Sequence, residues 1–135
     1  YKILNRDVES ELIPAMQKYG CGLLPYFPLA SGLLTGKYKR TEMPEGARLT
    51  DMPTFANRIY LTDENFDIVD RLKKFANKTG HSILELAFSW MASRPTTASI
   101  IAGATKPEQI DANVAAINWV LSQSEIDEVD KISAR

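Results

Sequence analysis

An apolar strand that stops at a proline and runs into a glycine-rich loop constrains the fold of this chain more than any other feature. Residues 22–27 form a nearly continuous apolar run, and Pro28 ends it. Apolar runs without polar alternation are typical of parallel strands that are covered on both faces. The loop that follows contains Gly32 and Gly36 and ends at Lys37. We therefore predict a buried parallel strand whose carboxyl end presents this loop to a ligand.

A second passage from strand to helix repeats the pattern downstream. The sequence predicts a short strand over 97–102, followed by Gly103 and a helix that begins at Thr105. Thr105 and Glu108 have the spacing of a capping box, and Pro107 falls in the first turn, where its missing N–H costs nothing. Glycine lets the backbone approach a ligand closely, and free helix N–H groups favour an anion. The second loop is therefore also a candidate ligand site.

Each of these features has a simpler interpretation. Taken alone, the second passage is better explained as a well-capped helix without a ligand. Two loops after successive strands favour function, because phosphate groups in α/β barrels often lie on the loops after the last two strands. Tyr26 could be a core aromatic or, at the end of the strand, a platform that stacks on a planar ring. Its position two residues before Pro28 favours the strand end.

The alternation of helices with the two strands predicts the fold class. Helices are expected over 7–19, from a Thr62 cap to 78–80, from Ser82 to just before Pro95, from 105 to 119, and from a Ser124 cap onward. Strands that alternate with helices imply right-handed crossovers and a parallel sheet. The few βα units present cannot cover both edges of a sheet, and a complete (β/α)₈ barrel needs about 250 residues. We therefore predict an α/β fold that is a partial (β/α)₈ TIM barrel.

The segments outside these elements carry two further expectations. Residues 28–61 hold no long periodic segment, and a loop of this length is more often functional than idle. The chain begins with Tyr1 rather than Met, and Tyr1 to Leu4 has the apolar character of the end of a strand. We expect the 135 residues to be part of a longer polypeptide.

Composition excludes several classes of protein. A hydrophobic fraction of 44% and a charged fraction of 24% predict a soluble globular domain. The formal net charge of −1 and the lack of a basic run give no support for nucleic-acid binding. No apolar run approaches the ~20 residues that cross a bilayer. The single Cys21 rules out a thiolate zinc site, and His81 is expected to be a solvated residue at a helix start. We expect a cytoplasmic protein without a metal.

The loop after the first strand matches neither common nucleotide-binding motif. Three residues separate Gly32 from Gly36, whereas a P-loop needs four, and Tyr38 stands where a P-loop has Ser or Thr. The chain also lacks the G-x-G-x-x-G fingerprint of a Rossmann domain.

Taken together, the two passages resemble segments of the aldo-keto reductases, NADP-dependent (β/α)₈ barrel enzymes. Residues 26–38, Tyr-Phe-Pro-Leu-Ala-Ser-Gly-Leu-Leu-Thr-Gly-Lys-Tyr, resemble the family's seventh-strand segment. Residues 101–113 resemble its eighth-strand segment, and residues 1–5 resemble the end of strand six. The similarity covers the whole chain and is greatest to the bacterial general reductases and the potassium-channel β-subunits. It implies that residues 1–135 are the C-terminal portion of one barrel domain, from the end of strand six onward.

The resemblance also implies a site for NADP(H). Tyr26 is expected to stack on the nicotinamide beside Pro28. The residues expected along the pyrophosphate are Leu29, Ser31, Gly32, Thr35 and Lys37, and Arg48 is expected to contact it with a positive charge. The residues expected around the adenosine 2′-phosphate and adenine are Gly103, Ala104, Thr105, Lys106, Gln109 and Asn113. Many members have Lys-Ser in place of Gly103-Ala104 and Arg in place of Gln109, which leaves Lys106 as the substitute cation.

The activity implied by the resemblance is reduction of aldehydes or ketones to alcohols with NADP(H). The family's catalytic Asp, Tyr, Lys and His lie in the first half of the barrel, and no residue of this chain matches their motifs. We therefore expect the chain to supply the cofactor-binding half, to contain no catalytic residue, and to be inactive without the N-terminal half. Its partners would be that half and a small-molecule carbonyl substrate. The alternatives are an NADP(H)-binding regulatory or sensor subunit of a partner protein, or an inactive truncated fragment.

Overall fold

Helices make up most of the regular structure. The structure is a computed structural model that describes residues 1–51 and 55–135. The α-helices in these ranges are α1 (Leu12–Tyr19), α2 (Arg48–Asp51), α3 (Phe55–Tyr60), α4 (Asp63–Lys78), α5 (Ile83–Ala92), α6 (Pro107–Ala115) and α7 (Gln123–Ser133). Short 3₁₀ helices lie at Asp7–Glu9, Ala30–Thr35 and Ala116–Asn118. None of the described helices has both the length and the apolar character needed to cross a membrane.

The two predicted strands are extended segments that pair at two points instead of forming a continuous ladder. Leu23 bridges Thr97 and Tyr26 bridges Ile101, both in parallel. Pro25 interrupts the ladder because it has no N–H to donate, although its carbonyl accepts from Ile101 N–H at 3.0 Å. One extra residue lies between the bridges on the second segment, which corresponds to a bulge. The parallel direction places the loops that follow both segments at the same edge.

The first residues form a tight turn, so the expected strand end is wrong in its local geometry. Lys2 N–H donates to the Asn5 carbonyl at 3.1 Å, and Asn5 N–H donates back to the Lys2 carbonyl at 2.9 Å. The side chains of residues 1–4 are buried. The turn therefore holds a lysine inside an otherwise apolar segment.

The predicted helix over 7–19 is broken into two pieces. A 3₁₀ turn spans Asp7–Glu9, and α1 starts only at Leu12. Pro14 explains the break, because a proline is tolerated in the first turn of a helix but would clash with a carbonyl four residues earlier in a helix interior. A helix that contains Pro14 must therefore begin shortly before it.

The core lies between α4, α5 and the 3₁₀ helix at Ala30–Thr35. Leu33, Leu34, Leu72, Leu86 and Trp90 are each fully buried there. The helical spacing of the apolar residues in α4 and α5 predicts one buried face for each helix, and both faces are confirmed. Their predicted caps are confirmed as well, because the Thr62 and Ser82 hydroxyls accept from backbone N–H groups at 3.2 Å.

The last helix starts two residues earlier than predicted. Ser122 is its cap, and the Ser122 N–H donates to the Glu125 carboxylate at 2.7 Å. The sequence had predicted Ser124 as the cap. Ser122 and Glu125 satisfy each other reciprocally as a capping box, which requires Glu or Gln at the third helical position.

The expectation that His81 is solvated is wrong. Its ring stacks on the Trp119 ring at a centroid distance of 4.0 Å and an interplanar angle of 8°. Its Nδ1 lies 3.1 Å from a Glu85 carboxylate oxygen. The side chain is 31% exposed. His81 therefore packs the segment after α6 against the start of α5.

Apolar residues of α6 and of the 3₁₀ turn after it recur at helical spacing, which predicts a buried face, but this face is exposed. Ile110, Val114 and Ile117 all have large exposed surfaces. Since the described residues provide no element that covers them, this face of α6 borders an apolar groove.

A polar cluster joins the first turn of the chain to α5 and α7. The Asp130 carboxylate accepts from Trp90 Nε1 at 2.8 Å and contacts Arg6 Nη1 at 3.2 Å. It also accepts from Arg94, whose guanidinium lies 4.0 Å from the Trp90 ring centroid. Asp130 therefore satisfies three donors from two other parts of the chain.

The Glu85 carboxylate makes the stability of the α5 start dependent on pH. The Ser82 N–H is the main cause that lowers the pKa of Glu85 from 4.5 to about 2, and the His81 ring and the Ser82 hydroxyl lower it further. The folded state thus favours the ionised form. The stabilisation is fully present above pH 4.5 and is lost as the pH falls towards 2.

Glu85→Gln is therefore expected to flatten the acid limb of the stability curve. Urea unfolding at a series of pH values between 5 and about 2 measures this. The variant should lose less free energy of unfolding across that range than the wild type, because its neutral amide cannot be protonated. Glu108→Gln, at an exposed position in the first turn of α6, is the matched control. Equal acid slopes for Glu85→Gln and the wild type would contradict the assignment.

Candidate cofactor site

The site begins with an exposed aromatic ring at the end of the first extended segment. The Tyr26 side chain is 64% exposed, and its ring meets the Phe27 ring edge-on at 5.2 Å. Pro28, immediately after them, is buried. The parallel bridge from Tyr26 to Ile101 fixes the backbone beneath the ring. The structure therefore provides a flat, accessible ring at the position where the sequence predicted a platform.

The loop after this ring has an unusual backbone. Ala30 and Ser31 have φ values of 50° and 56°, and Gly32 follows with 94°. Left-handed conformations of non-glycine residues cost roughly 1–2 kcal/mol each. Leu33 and Leu34 are fully buried directly after them and anchor the loop in the core. Backbone strain of this kind clusters at ligand sites, which supports the prediction that this loop is functional.

The other predicted pyrophosphate residues line the same loop. Leu29, Ser31 and Thr35 are half-buried. The Thr35 hydroxyl donates to the Gly32 carbonyl at 2.8 Å and so closes the loop on itself. Lys37 is exposed and folds back over the loop, since a Cβ added at Gly32 would lie 3.1 Å from Lys37 Cε.

Arg48 reaches the aromatic pair from α2. Its guanidinium carbon lies 5.1 Å from the Phe27 ring centroid. The next residue, Leu49, is buried, and its N–H donates to the Tyr38 hydroxyl at 2.9 Å, which fixes α2 against the loop. Within the described ranges, neither Lys37 nor Arg48 has a carboxylate within 4.0 Å. The first loop therefore carries two cations that remain available to an anion.

The second loop is capped differently from the prediction. Lys106, not Thr105, is the N-cap of α6, because Pro107 occupies the first helical position that prolines favour. The Gln109 carbonyl oxygen then accepts from Thr105 N–H at 2.7 Å, Lys106 N–H at 3.2 Å and the Thr105 hydroxyl at 3.2 Å. The Thr105–Glu108 capping box is therefore wrong. The Thr105 and Lys106 N–H groups, which were predicted to be free to bind an anion, therefore already donate to Gln109.

The remaining predicted residues border the apolar groove next to α6. Gly103 and Ala104 are exposed, and a Cβ added at Gly103 would meet no described atom within 4 Å. Ala104 and Asn113 line a cavity of about 490 Å³ together with Ile110 and Val114. Gly103 was expected to let the backbone approach a ligand closely. No described residue approaches it, so the space beside Gly103 is open.

Sequence reasoning missed one side chain in contact with the Tyr26 ring and two others, Tyr60 and Lys2, that contact each other. Phe27 contacts the Tyr26 ring directly, and Tyr60 lies near enough that Tyr26 adds to the rise in the Tyr60 pKa, which burial mainly causes. Lys2 places its ammonium 5.7 Å from the Tyr60 ring centroid. A lysine inside the apolar segment 1–4 was the one signal that could have revealed this contact.

A family model described as the aldo/keto reductase family matches residues 1–134. The chain belongs to this family. The resemblance proposed from the two loop segments is thereby confirmed at the level of the family.

Curated members of the aldo/keto reductase family are similar over nearly the whole chain. A probable voltage-gated potassium channel subunit beta from Oryza sativa subsp. japonica is 42% identical over an alignment of 138 residues that covers 99% of this chain and 41% of the relative. An NADH-specific methylglyoxal reductase from Escherichia coli is 36% identical over 129 residues, covering 93% of this chain and 37% of the relative. The chain thus spans about two fifths of the length of these relatives.

A solved structure supports the same assignment. The glycerol dehydrogenase of Gluconobacter oxydans superimposes with a TM-score of 0.77 at 28% identity, over 99% of this chain and 40% of that protein. The chain therefore has the fold of part of an aldo/keto reductase.

The residues present fit a nicotinamide dinucleotide. The exposed Tyr26 ring suits a planar heterocycle, and Lys37 and Arg48 suit a pyrophosphate. The open space at Gly103 leaves room for a ligand beside the second loop. The second loop is less rich in free donors than the sequence suggested, because Gln109 already binds its backbone N–H groups.

Proposed function

We propose that this chain supplies the cofactor-binding part of an NADP(H)-dependent aldo-keto reductase that converts aldehydes or ketones to alcohols. The observation that carries the proposal is the exposed Tyr26 ring beside a strained loop with two cations, Lys37 and Arg48, that form no ion pair with a described residue. Relatives named as a methylglyoxal reductase and an L-glyceraldehyde 3-phosphate reductase support the reaction class.

The residues divide the work of holding the dinucleotide. Tyr26 provides a face for the nicotinamide, and the backbone of residues 29–32 with Lys37 and Arg48 holds the pyrophosphate. When bound, the cofactor supplies a hydride. These residues orient the nicotinamide ring and neutralise the charge of the pyrophosphate. Binding of the cofactor thereby positions the reactants.

The second loop holds the adenosine end. Lys106 and Thr105 face the 2′-phosphate, Gln109 keeps the loop in shape through its carbonyl oxygen, and Asn113 faces the adenine from the groove. Gly103 and Ala104 leave space for the ligand. A preference for NADP(H) then depends mainly on Lys106, and the relative named as NADH-specific makes that preference a point to measure.

The proposal places the chain within a larger barrel. Residues 1–135 form its C-terminal portion from the end of strand six, and the groove beside α6 is part of the contact with the N-terminal half. The catalytic residues belong to that half, so residues 1–135 alone are inactive. The carbonyl substrate is a small molecule, and the protein acts in the cytoplasm.

A regulatory role is the second candidate. Three relatives from plants and fission yeast are named as probable or putative potassium channel β-subunits. In such a role, the same dinucleotide site would sense the nicotinamide pool for a partner protein. Binding of the cofactor without turnover of any carbonyl separates this candidate from the reductase.

Tyr26→Ala is expected to weaken NADPH binding about fivefold, since stacking on an aromatic ring contributes about 1 kcal/mol. The measurement is quenching of protein fluorescence by NADPH in the full-length protein that contains this chain. Tyr26→Phe keeps the ring and should bind normally. Tyr19→Ala, at a similarly exposed tyrosine at the end of α1, is the matched control.

Turnover then decides between the two candidates. The wild type should oxidise NADPH in the presence of methylglyoxal or 4-nitrobenzaldehyde. If it binds NADPH but reduces neither carbonyl, the sensor role is favoured. If it binds no nicotinamide dinucleotide at all, both candidates fail.

A further inference from the structure

Tyr38 is a buried aromatic residue that the proposed cofactor site does not use. The residue is only 2% exposed. It directly follows Lys37, an exposed cation assigned to the pyrophosphate, and its hydroxyl accepts from the Leu49 N–H at 2.9 Å. Leu49 in turn directly follows Arg48, the second cation assigned to the pyrophosphate. Tyr38 therefore connects the two segments that carry these cations.

The ring of Tyr38 packs against the strained part of the first loop. A Cβ added at Gly32 would lie 3.4 Å from the Tyr38 Cε2 atom, so the ring borders the backbone at this glycine. The Lys37 ammonium lies 5.2 Å from the Tyr38 ring centroid, which is within the range of a cation–π contact. The ring thus contacts the loop and Lys37, whereas the hydroxyl reaches α2. A phenylalanine at this position would keep the first two contacts and lose only the third.

The position of α2 depends on contacts with the rest of the chain. A helix of one turn has no stability of its own in water, and α2 has only four residues. As a residue in the first turn, Leu49 has an N–H without an acceptor inside the helix. The Tyr38 hydroxyl supplies that acceptor, and both residues are buried. The hydrogen bond therefore fixes the start of α2 and, with it, the backbone of Arg48.

We propose that Tyr38 is a positioning residue for the cofactor, because its hydroxyl holds α2 so that the Arg48 guanidinium is directed to the pyrophosphate. This inference rests on the proposed dinucleotide site. The Arg48 side chain is exposed, and its guanidinium carbon lies 5.1 Å from the centroid of the Phe27 ring, which contacts Tyr26. An arginine that is held in place before the ligand arrives loses less conformational freedom on binding. The Tyr38 hydroxyl thereby raises the affinity for the dinucleotide without touching it.

A double-mutant cycle tests whether Tyr38 acts through Arg48. NADPH and NADH are titrated, by quenching of protein fluorescence, into the full-length protein that contains this chain. Arg48→Ala is expected to weaken binding of both dinucleotides about tenfold and Tyr38→Phe about fivefold, because both contain the pyrophosphate. In the Arg48→Ala background, Tyr38→Phe should weaken binding by no more than about twofold. Tyr19→Phe, which removes the hydroxyl of an exposed tyrosine at the end of α1, should bind as the wild type does.

Adenosine 2′-monophosphate provides a second measurement, which separates positioning from a general disturbance of the fold. This compound has the adenosine end of NADPH and no pyrophosphate. Its dissociation constant, measured by competition with NADPH, should therefore be the same in Tyr38→Phe and in the wild type. If Tyr38 only stabilises the fold, adenosine 2′-monophosphate and NADPH lose affinity equally in Tyr38→Phe, and that result overturns the inference.

The outcomes of the cycle separate this inference from the proposed function. A loss of about fivefold that disappears in the Arg48→Ala background supports the inference. Equal losses in both backgrounds, or wild-type affinity in either single variant, overturn it and leave the proposed function intact. If the wild type binds neither dinucleotide, the proposed function and this inference fail together.

A second variant covers the case in which Tyr38→Phe does not fold. Replacing Leu49 with the α-hydroxy acid of leucine puts an ester in place of the N–H, and it removes the same hydrogen bond from the donor side while keeping the buried side chain. The cycle of this variant with Arg48→Ala decides in the same way.

Discussion

Replacing Asp130 with alanine is expected to lower the free energy of unfolding by about 3 kcal/mol, the range found when one partner of a buried ion pair is removed. Asp130 is only 25% exposed and serves three donors, from Arg6, Trp90 and Arg94. The substitution leaves the Arg94 guanidinium and the Trp90 indole N–H without this acceptor, whereas Arg6 keeps its ion pair with Glu9. The loss should be large because Arg94 remains mostly buried while its counter-charge is gone.

The surroundings of Arg94 increase the loss of stability expected for Asp130→Ala. Its Nε is buried and already lacks a described hydrogen-bond partner, so the contact with Asp130 is its main compensation. The guanidinium carbon also lies 4.0 Å from the Trp90 ring centroid, and this contact holds it in place after the mutation. The unpaired cation therefore cannot simply turn into water.

Urea unfolding of the wild type and the variant at neutral pH measures the effect as a shift of the midpoint at constant m-value. Glu128→Ala is the matched control, since Glu128 is exposed on the same helix. It should change the free energy by no more than about 0.5 kcal/mol. An Asp130→Ala variant as stable as this control would show that the cluster contributes little.

The prolines explain both the strength and the limits of prediction from this sequence. Pro28 correctly located the end of the first extended segment, with Tyr26 exposed beside it. Pro14 and Pro25 were not weighed, and each of them broke an element that periodicity alone had made continuous. The periodicity of apolar residues predicts which residues share a face. It does not predict where backbone hydrogen bonding ends, which depends on the N–H that each proline lacks.

Helix caps show why local competition is hard to resolve from sequence. Ser122 and Ser124 both stand three residues before an acid, and only the Ser122–Glu125 pair forms a reciprocal box. Thr105 and Lys106 were both possible N-caps of α6. Lys106 is the cap because Pro107 occupies the first helical position. Such choices differ by fractions of a kcal/mol and depend on the loop that precedes each helix.

Tertiary contacts account for the residues that sequence reasoning could not place. His81 stacks on Trp119, which lies 38 positions away in the chain, and no local pattern specifies that pairing. Lys2 and Tyr60 meet for the same reason. The two loops of the candidate site could be located because they follow strand ends, whereas the contact between Lys2 and Tyr60 depends on how distant segments pack.

In the proposed site, the adenosine end depends on very few groups. Gln109 binds the backbone N–H groups of Thr105 and Lys106 with its carbonyl oxygen, and it also accepts from the Thr105 hydroxyl. An incoming phosphate would have to compete with these bonds. The Lys106 ammonium is exposed and has no ion pair with a described residue, so it is the group best able to receive a dianion.

Lys106→Ala is therefore expected to weaken NADPH binding about 30-fold, since a hydrogen bond to a charged group contributes about 2 kcal/mol. NADH lacks the 2′-phosphate, and its dissociation constant should be unchanged. The α6 cap uses only the backbone of Lys106, so the substitution should leave the helix start intact. Fluorescence titration of both dinucleotides with the full-length protein measures the difference.

The salt dependence of NADPH binding distinguishes an ion pair from a general loss of affinity. In the wild type, added KCl should narrow the gap between the NADPH and NADH dissociation constants, because exposed charges are screened. In Lys106→Ala the gap should be small at every salt concentration. Lys74→Ala, which removes an exposed lysine from α4, should behave as the wild type. If Lys106→Ala weakens NADPH and NADH equally, Lys106 acts on the pyrophosphate or the fold, and the second loop does not determine the choice of dinucleotide.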